Sequence, residues 1–389
     1  MTYNRDILDK LLESRSLSRR NLSKRLGLEK DELEQQLSIE PEPRQKILKD
    51  IAKELAVPIF IFYMREAPST DDRIPDFRLA TPKFSPTSRE TTEAIQLARS
   101  IQRKAQELRP NFHPAINRIE KPSLKTVAIA AAQARDLFKI SLHDQLEATD
   151  TRTFYTLCRK KIEAAGIFVI QESFPKEDGS GFCLSTGTVP VLVVNTKEQT
   201  RGRRLFTLIH ELAHALIGVT GISDPFVSTN NLETYCNKFA SEFLAPKEFL
   251  EVLLSNTPIP RNPDRDDVKR ISRKLKISQQ ATILRLEELG KVAEGSYRAW
   301  LTAIGNFGNP DFGKEGGGAG GPPPQEKVKL ARYGFFFADL FGSALEEGSI
   351  NDLQLFRATG LKPKYQQDYI SFAQSLNDSD VRSLELGDE

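Results

Sequence analysis

The stretch RRLFTLIHELAHALIG, residues 203–218, decides how this chain is read. Its apolar residues recur at helical spacing, so it is predicted to form one amphipathic helix packed on a core. Within it, HELAH at 210–214 sets His210 and His214 at i and i+4, and both imidazoles leave one face with Glu211 beside them. Two neutral imidazoles so placed can share a zinc ion, with room for a third protein ligand and for a water that Glu211 can deprotonate. The chemistry implied is peptide hydrolysis. In a chain with four histidines an accidental HExxH is rare, and both histidines and the glutamate are intact, which argues against a degenerate site kept only for structure.

The residues that follow limit how the metal shell is completed. A metzincin needs glycine at position 217 and histidine at position 220, where this chain has Ile217 and Thr220. Downstream, LETYCNKFASEFLAP at 232–246 reads as a second helix that Pro246 ends or turns. Glu233 and Asn237 are i and i+4 there, with Ala240 and Leu244 continuing roughly the same face. Glu233 is therefore expected as the third zinc ligand, and Asn237 as the amide that hydrogen-bonds it and fixes its orientation. Glu242 follows nine positions later, a rotation of about 180°, and is expected to point away toward solvent or a salt bridge. Asp224, before Pro225 in GISDPF, is expected in a turn. Tyr235 is a candidate oxyanion contact, and Arg203 a candidate substrate contact at the start of the active helix.

HELAH, preceded by RRLFTL and followed by ETYCNKFASEFLAP, resembles the ImmA/IrrE family of zinc metallopeptidases, whose members pair HExxH with a downstream E…N-x-F-A…P helix. PDFR at Pro75–Arg78 is similar to the segment that joins a regulator-like N-terminal domain to the peptidase in longer members, and the likeness covers most of the chain. The resemblance implies zinc bound by His210, His214 and Glu233, with Glu211 as catalytic base. Cys236 departs from the family, which more often has a small apolar residue there; it is expected as a small buried hydrophobe.

Working outward, the 389 residues, 39% hydrophobic and 28% charged, are enough for two or three domains with their own cores. MTYNRDILDK at the start lacks the apolar region of a signal peptide, and apolar runs such as VPIFIFYM at 57–64 are too short to cross a bilayer. Cys158, Cys183 and Cys236 are scattered and odd in number, without a CxxC, which indicates neither a disulfide framework nor a cysteine zinc site and suits a reducing cytoplasm. A net charge of +2 gives no overall drive toward nucleic acid or membrane.

The expected fold class is α+β, a zincin-like core of a small β-sheet plus the HExxH helix, flanked by all-helical N- and C-terminal modules. Residues 1–66 read as helices near 5–14, 18–26, 29–38 and 43–55, and LSRRNLSKRLGLEKDELEQQL at 17–37 resembles the helix-turn-helix of an XRE-type regulator domain. Its second helix carries Glu29, Asp31, Glu32 and Glu34 against Lys30 alone. That charge weighs against DNA and toward protein docking or dimerisation, although Arg19, Arg20, Lys24 and Arg25 leave non-specific backbone contact open. The peptidase domain is expected over 67–303, with GIFVIQESF, GFCLST and VPVLVVNT as short strands ahead of the zinc helix and an edge strand able to hold an extended peptide. Residues 268–290 repeat the helix-turn-helix rhythm and read as helices packed on that domain. GNFGNPDFGKEGGGAGGPPPQEK at 304–326 is a linker or a loop over the cleft, and 327–389 a C-terminal helical subdomain ending in a frayed LGDE.

The function expected from this pattern is a zinc endopeptidase of narrow specificity that cleaves a regulatory protein such as a repressor, the helical modules adding docking affinity away from the metal. The alternative is a DNA-binding regulator or antitoxin-like binding protein in which the zinc domain senses or docks without cutting.

Overall fold

The computed structural model describes residues 3–39, 42–66, 74–79, 84–197, 199–225, 230–305 and 322–377. Most of the Gly/Pro-rich stretch at 304–326, and the tail LGDE, lie outside these.

Near the N-terminus four helices, α1 (Arg5–Ser14), α2 (Arg19–Arg25), α3 (Lys30–Leu37) and α4 (Gln45–Glu54), close around their own core. Asn4 and Ser18 cap α1 and α2 by accepting from Asp6 N and Asn21 N, which satisfies amides that a helix start leaves open. Ile7, Leu8 and Leu11 of α1 meet Leu22, Leu33, Leu48 and Ile51, with Phe62 closing the cluster. Two of the basic residues of this module already have partners within the chain. Arg19 pairs with Asp9 at 2.7 Å and with Glu34 at 3.2 Å, and Arg25 with Glu54 at 3.4 Å.

The rest of the described chain is built on a four-stranded sheet. The strands β1 (Phe168–Glu172), β2 (Gly181–Leu184), β3 (Val191–Asn195) and β4 (Gly221–Ser223) lie in the order β1-β3-β2-β4, with β1 parallel to β3 and the other pairings antiparallel. Side chains alternate across it. Val169, Cys183, Leu192 and Val194 face one core, and Phe168, Ile170, Phe182, Val191 and Val193 the other. Both faces are apolar because both are covered by helices, which is why the strands read as nearly continuous hydrophobic runs.

Before the sheet come α5 (Arg89–Leu108), α6 (Val127–Leu137), α7 (Leu142–Glu147) and α8 (Thr151–Ala164). The HELAH stretch forms α9 (Arg201–Ile217), capped by the Thr200 side chain at Arg203 N and ended by Gly218 at φ 89, a left-handed cap that glycine adopts without strain. Then follow α10 (Asn231–Leu244), α11 (Lys247–Asn256), α12 (Arg265–Leu275), α13 (Gln279–Glu288) and α14 (Ser296–Gly305). Leu205, Leu208, Ile209 and Leu212 of α9 pack with Phe239 and Phe243 of α10 and with Ile271, Ile283 and Leu286 of α12 and α13. The helix-turn-helix rhythm at 268–290 thus belongs to helices packed into this core.

On the opposite sheet face lie α5 and the C-terminal helices α15 (Gln325–Tyr333), α16 (Phe335–Glu346), α17 (Asp352–Thr359) and α18 (Gln366–Asn377). The sequence sets 327–389 apart as a subdomain. In the structure Tyr333, Phe337, Phe341 and Tyr369 share one cluster with Phe168, Phe182 and Val193, so these helices form the second layer of the sheet's own core. Glu163 of α8 reinforces the join, accepting from Phe335 N at 2.7 Å while it pairs with Arg159 at 3.1 Å.

Candidate metal centre

The candidate metal centre is assembled from two helices and a strand. His210 and His214, one turn apart on α9, bring their Nε2 atoms to 3.1 Å from each other. Glu233, in the first turn of α10, faces both, with Oε2 3.2 Å from His210 Nε2 and Oε1 3.1 Å from His214 Nε2. All three side chains are fully buried. Asn230 holds the start of α10 by accepting from Glu233 N at 2.9 Å, which fixes the helical phase that aims Glu233 inward.

These contacts are short, yet they are not satisfied hydrogen bonds. Both carboxylate oxygens of Glu233 and both Nδ1 atoms are buried without a hydrogen-bond partner. Leaving such atoms orphaned costs about 1–3 kcal/mol each, and a cation held by the Nε2 atoms would relieve it at the two Glu233 oxygens. Ligand bonds of about 2.0–2.1 Å place tetrahedral donors roughly 3.3 Å apart, close to the spacing found here. The donor set therefore fits a metal ion.

The charges agree with that fit. Burial resists ionisation of Glu233, but the two imidazoles outweigh it and hold its carboxyl down at about 2. Burial pushes His214 below its ordinary value, toward the neutral form that ligates metals. The Cys236 Sγ also lies within 4.8 Å of the two imidazole donor atoms. Burial, together with Glu233 and Glu211, raises that thiol well above its ordinary value, and it is a fully buried neighbour of the cluster.

Glu211 stands beside the cluster. Its Oε1 accepts from Ser223 Oγ of β4, and its Oε2 is without a partner. Burial raises its carboxyl well above the ordinary range, helped by Glu233 and Asp224, while Ser223 opposes the shift. Gly181 of β2 makes room for it: a Cβ there would lie 2.9 Å from Glu211 Oε1 and 2.7 Å from Val193 O.

Residues 162–287, from the end of α8 through the sheet and both site helices to α13, match the model of the IrrE N-terminal-like domain, a peptidase family. Over that segment the chain is similar to the ImmA/IrrE peptidases. No curated protein matches it.

The other sequence candidates sit as follows. Asn237 does not hydrogen-bond Glu233; its Nδ2 donates to Pro225 O at 2.8 Å, tying α10 to the turn after β4. One helical turn brings it to the same face as Glu233, but the nearer acceptor wins. Tyr235 is 3% exposed in the main core, about 200° around α10 from Glu233, so its hydroxyl is not an oxyanion donor at the metal. Arg203 lies near the site without touching the cluster, its guanidinium 3.6 Å from Asp224, whose carboxylate also accepts from Ser180 Oγ at 3.0 Å. Glu242 turns away as its phase requires and pairs with Arg285 and Lys238.

Three residues escaped the sequence reading of the site. Ser223 and Gly181 hold Glu211, and a glycine inside the strand GFCL is itself a sign of close approach. The third is Phe77. Its ring stacks on His214 at 5.3 Å and 6° and sits where any side chain at Gly221 would collide with it. The PDFR segment lies along the outer edge of β4: Ile222 N donates to Pro75 O at 2.8 Å, and Phe77 N to Ile222 O at 2.9 Å. Asn230 Nδ2 then donates to Phe77 O at 2.7 Å. Asp76 is 1% exposed and clamped by Arg78 at 2.6 Å. Of the sheet's two edges, that of β4 is thus taken by the chain itself. Among the described residues no helix is long and apolar enough to cross a membrane.

Proposed function

We propose that this protein is a zinc-dependent endopeptidase of narrow specificity that cleaves a regulatory protein such as a transcriptional repressor. The observation that carries the reading is the convergence of His210 Nε2, His214 Nε2 and the Glu233 carboxylate within 3.1–3.2 Å, with Glu211 adjoining. His210, His214 and Glu233 are the zinc ligands in this reading. A zinc ion held there supplies Lewis-acid polarisation of the scissile carbonyl and acidifies water. Glu211 takes the proton of the attacking water on its free Oε2 and passes it to the leaving amine nitrogen, while Ser223 fixes the carboxylate through Oε1. A carboxyl raised by burial suits a group that must both accept and return a proton near neutral pH.

The N-terminal module fits the role of a docking element. Its α3 is acidic, and Arg19 and Arg25 have carboxylate partners within the chain, so its charge favours a protein partner, or a second copy, over DNA. Co-expression of the full chain with candidate repressors encoded beside it, wild type against Glu211→Gln, tests the reading. The wild type is expected to cleave one of them and the variant none. Equal cleavage by both contradicts the mechanism. Cleavage by neither, with salt-sensitive DNA binding by the full chain, favours the regulator that senses without cutting.

A further inference from the structure

One turn from the candidate ligands along α9 and α10 lies a cavity of about 350 Å³, bounded by the first turns of α9, one face of α10 and the start of α13. Its apolar wall comes from Phe206, Leu244, Ile277, Ala281 and Leu284. Phe206 precedes His210 by four residues on α9, and Asn237 follows Glu233 by four on α10, so each helix presents a ligand and a cavity residue on one face. The separation along each axis is about 6 Å.

We propose that this cavity is the specificity pocket, holding one large apolar side chain of the substrate, of leucine or phenylalanine size, next to the scissile bond. The inference rests on the peptidase reading and adds the substrate class to it.

Three observations carry it. The volume holds one bulky side chain together with the backbone at its base, within the range of ligand sites. The cations that line it are engaged within the chain: Arg285 with Glu242 at 2.9 Å and Glu288 at 2.8 Å, Lys238 with Glu242 at 2.9 Å, and Arg203 with Asp224 at 3.6 Å. An acidic side chain entering there would lose its hydration and find each cation committed, whereas an apolar one gains from leaving water. Third, Asn237 lines the cavity with its Nδ2 donated to Pro225 O and its Oδ1 buried without a partner. That oxygen is an acceptor in waiting for a substrate main-chain N–H. Phe206 and Asn237 each stand one helical turn from a ligand, so a side chain seated in the cavity brings its own main chain toward that cluster.

The test uses the full-length Glu211→Gln protein, so that binding is read without turnover, and three probes: N-acetyl-phenylalaninamide, N-acetyl-leucinamide and N-acetyl-aspartamide, each titrated by ligand-observed NMR. The first two are expected to bind saturably, about tenfold or more tighter than the third. Filling the pocket from either wall, by Ala281→Phe on α13 or Ser241→Phe on α10, should weaken them by a similar factor with the circular dichroism spectrum unchanged. No saturable binding, equal affinity for the acidic probe, or unchanged binding in both filled variants overturns the pocket. The peptidase reading fails separately: probe binding with no cleavage by the wild type keeps the pocket and removes the protease.

Discussion

The first and last turns of α10 each carry a glutamate, and the two have opposite fates. Glu233 is fully buried against two imidazoles and has no hydrogen-bond partner, while Glu242, nine residues on, meets two cations. Both carboxyls are held below their ordinary value of 4.5 despite burial, Glu233 by His210 and His214, Glu242 by Arg285 and Lys238. One end of the helix is satisfied by its own chain and the other is left for an ion. Helical phase alone separates them, since nine residues at 3.6 per turn make two and a half turns. The lesson is that a carboxylate's depressed pKa does not mark a site, whereas converging orphan atoms do.

That contrast can be broken by mutation at either end. The largest effect is expected at Glu211, the proposed catalytic base beside the Glu233 end. Glu211→Gln should lower the rate of substrate cleavage by about 10²–10⁴ while keeping its metal, read by cleavage kinetics beside metal analysis. Ser223→Ala leaves the ligands intact but frees Glu211 to rotate. We expect roughly a tenfold loss in kcat with KM and metal content unchanged, in line with other orienting contacts to metal sites.

At the other end the effect is on stability. Glu242→Gln removes the charge facing Arg285, which is 1% exposed, and should cost about 1–3 kcal/mol in urea unfolding at pH 7, with Glu288 limiting the loss. The pH dependence follows from the direction of the shift. A folded-state carboxyl below 4.5 adds stability above that pH and loses it as the pH falls through 4.5 toward the folded value. The wild type's advantage over Glu242→Gln should therefore shrink below about pH 4.5. The smallest effect is expected at Phe77. Phe77→Ala uncovers His214 and should speed zinc removal by a chelator severalfold, leaving the equilibrium metal content unchanged.

Much of the site was legible because it is written in local periodicities. The i,i+4 spacing in HELAH, and the opposite phases of Glu233 and Glu242, fix side-chain directions without knowledge of the rest of the fold. Strands β1, β2 and β3 were legible as apolar runs; β4, three residues within GISDPF, read as a loop because it is too short to show a period. What failed was non-local. Pro75–Phe77 reaches β4 across more than a hundred residues, and nothing in PDFR states which edge it will cover. Asn237 was assigned by phase to Glu233, but Pro225 offers its amide a carbonyl that only the folded turn brings near. The C-terminal helices read as a separate unit because amphipathic periodicity reveals an apolar face and not its partner, here the far side of the sheet.

The most direct test of the account is the zinc content of purified full-length protein by atomic emission, with the wild type beside Glu233→Ala, Cys236→Ala and Glu242→Ala. The account predicts one zinc per chain in the wild type, in Cys236→Ala and in Glu242→Ala, and almost none in Glu233→Ala. Full zinc in Glu233→Ala, or its loss in Cys236→Ala alone, would contradict the two-helix His-His-Glu site.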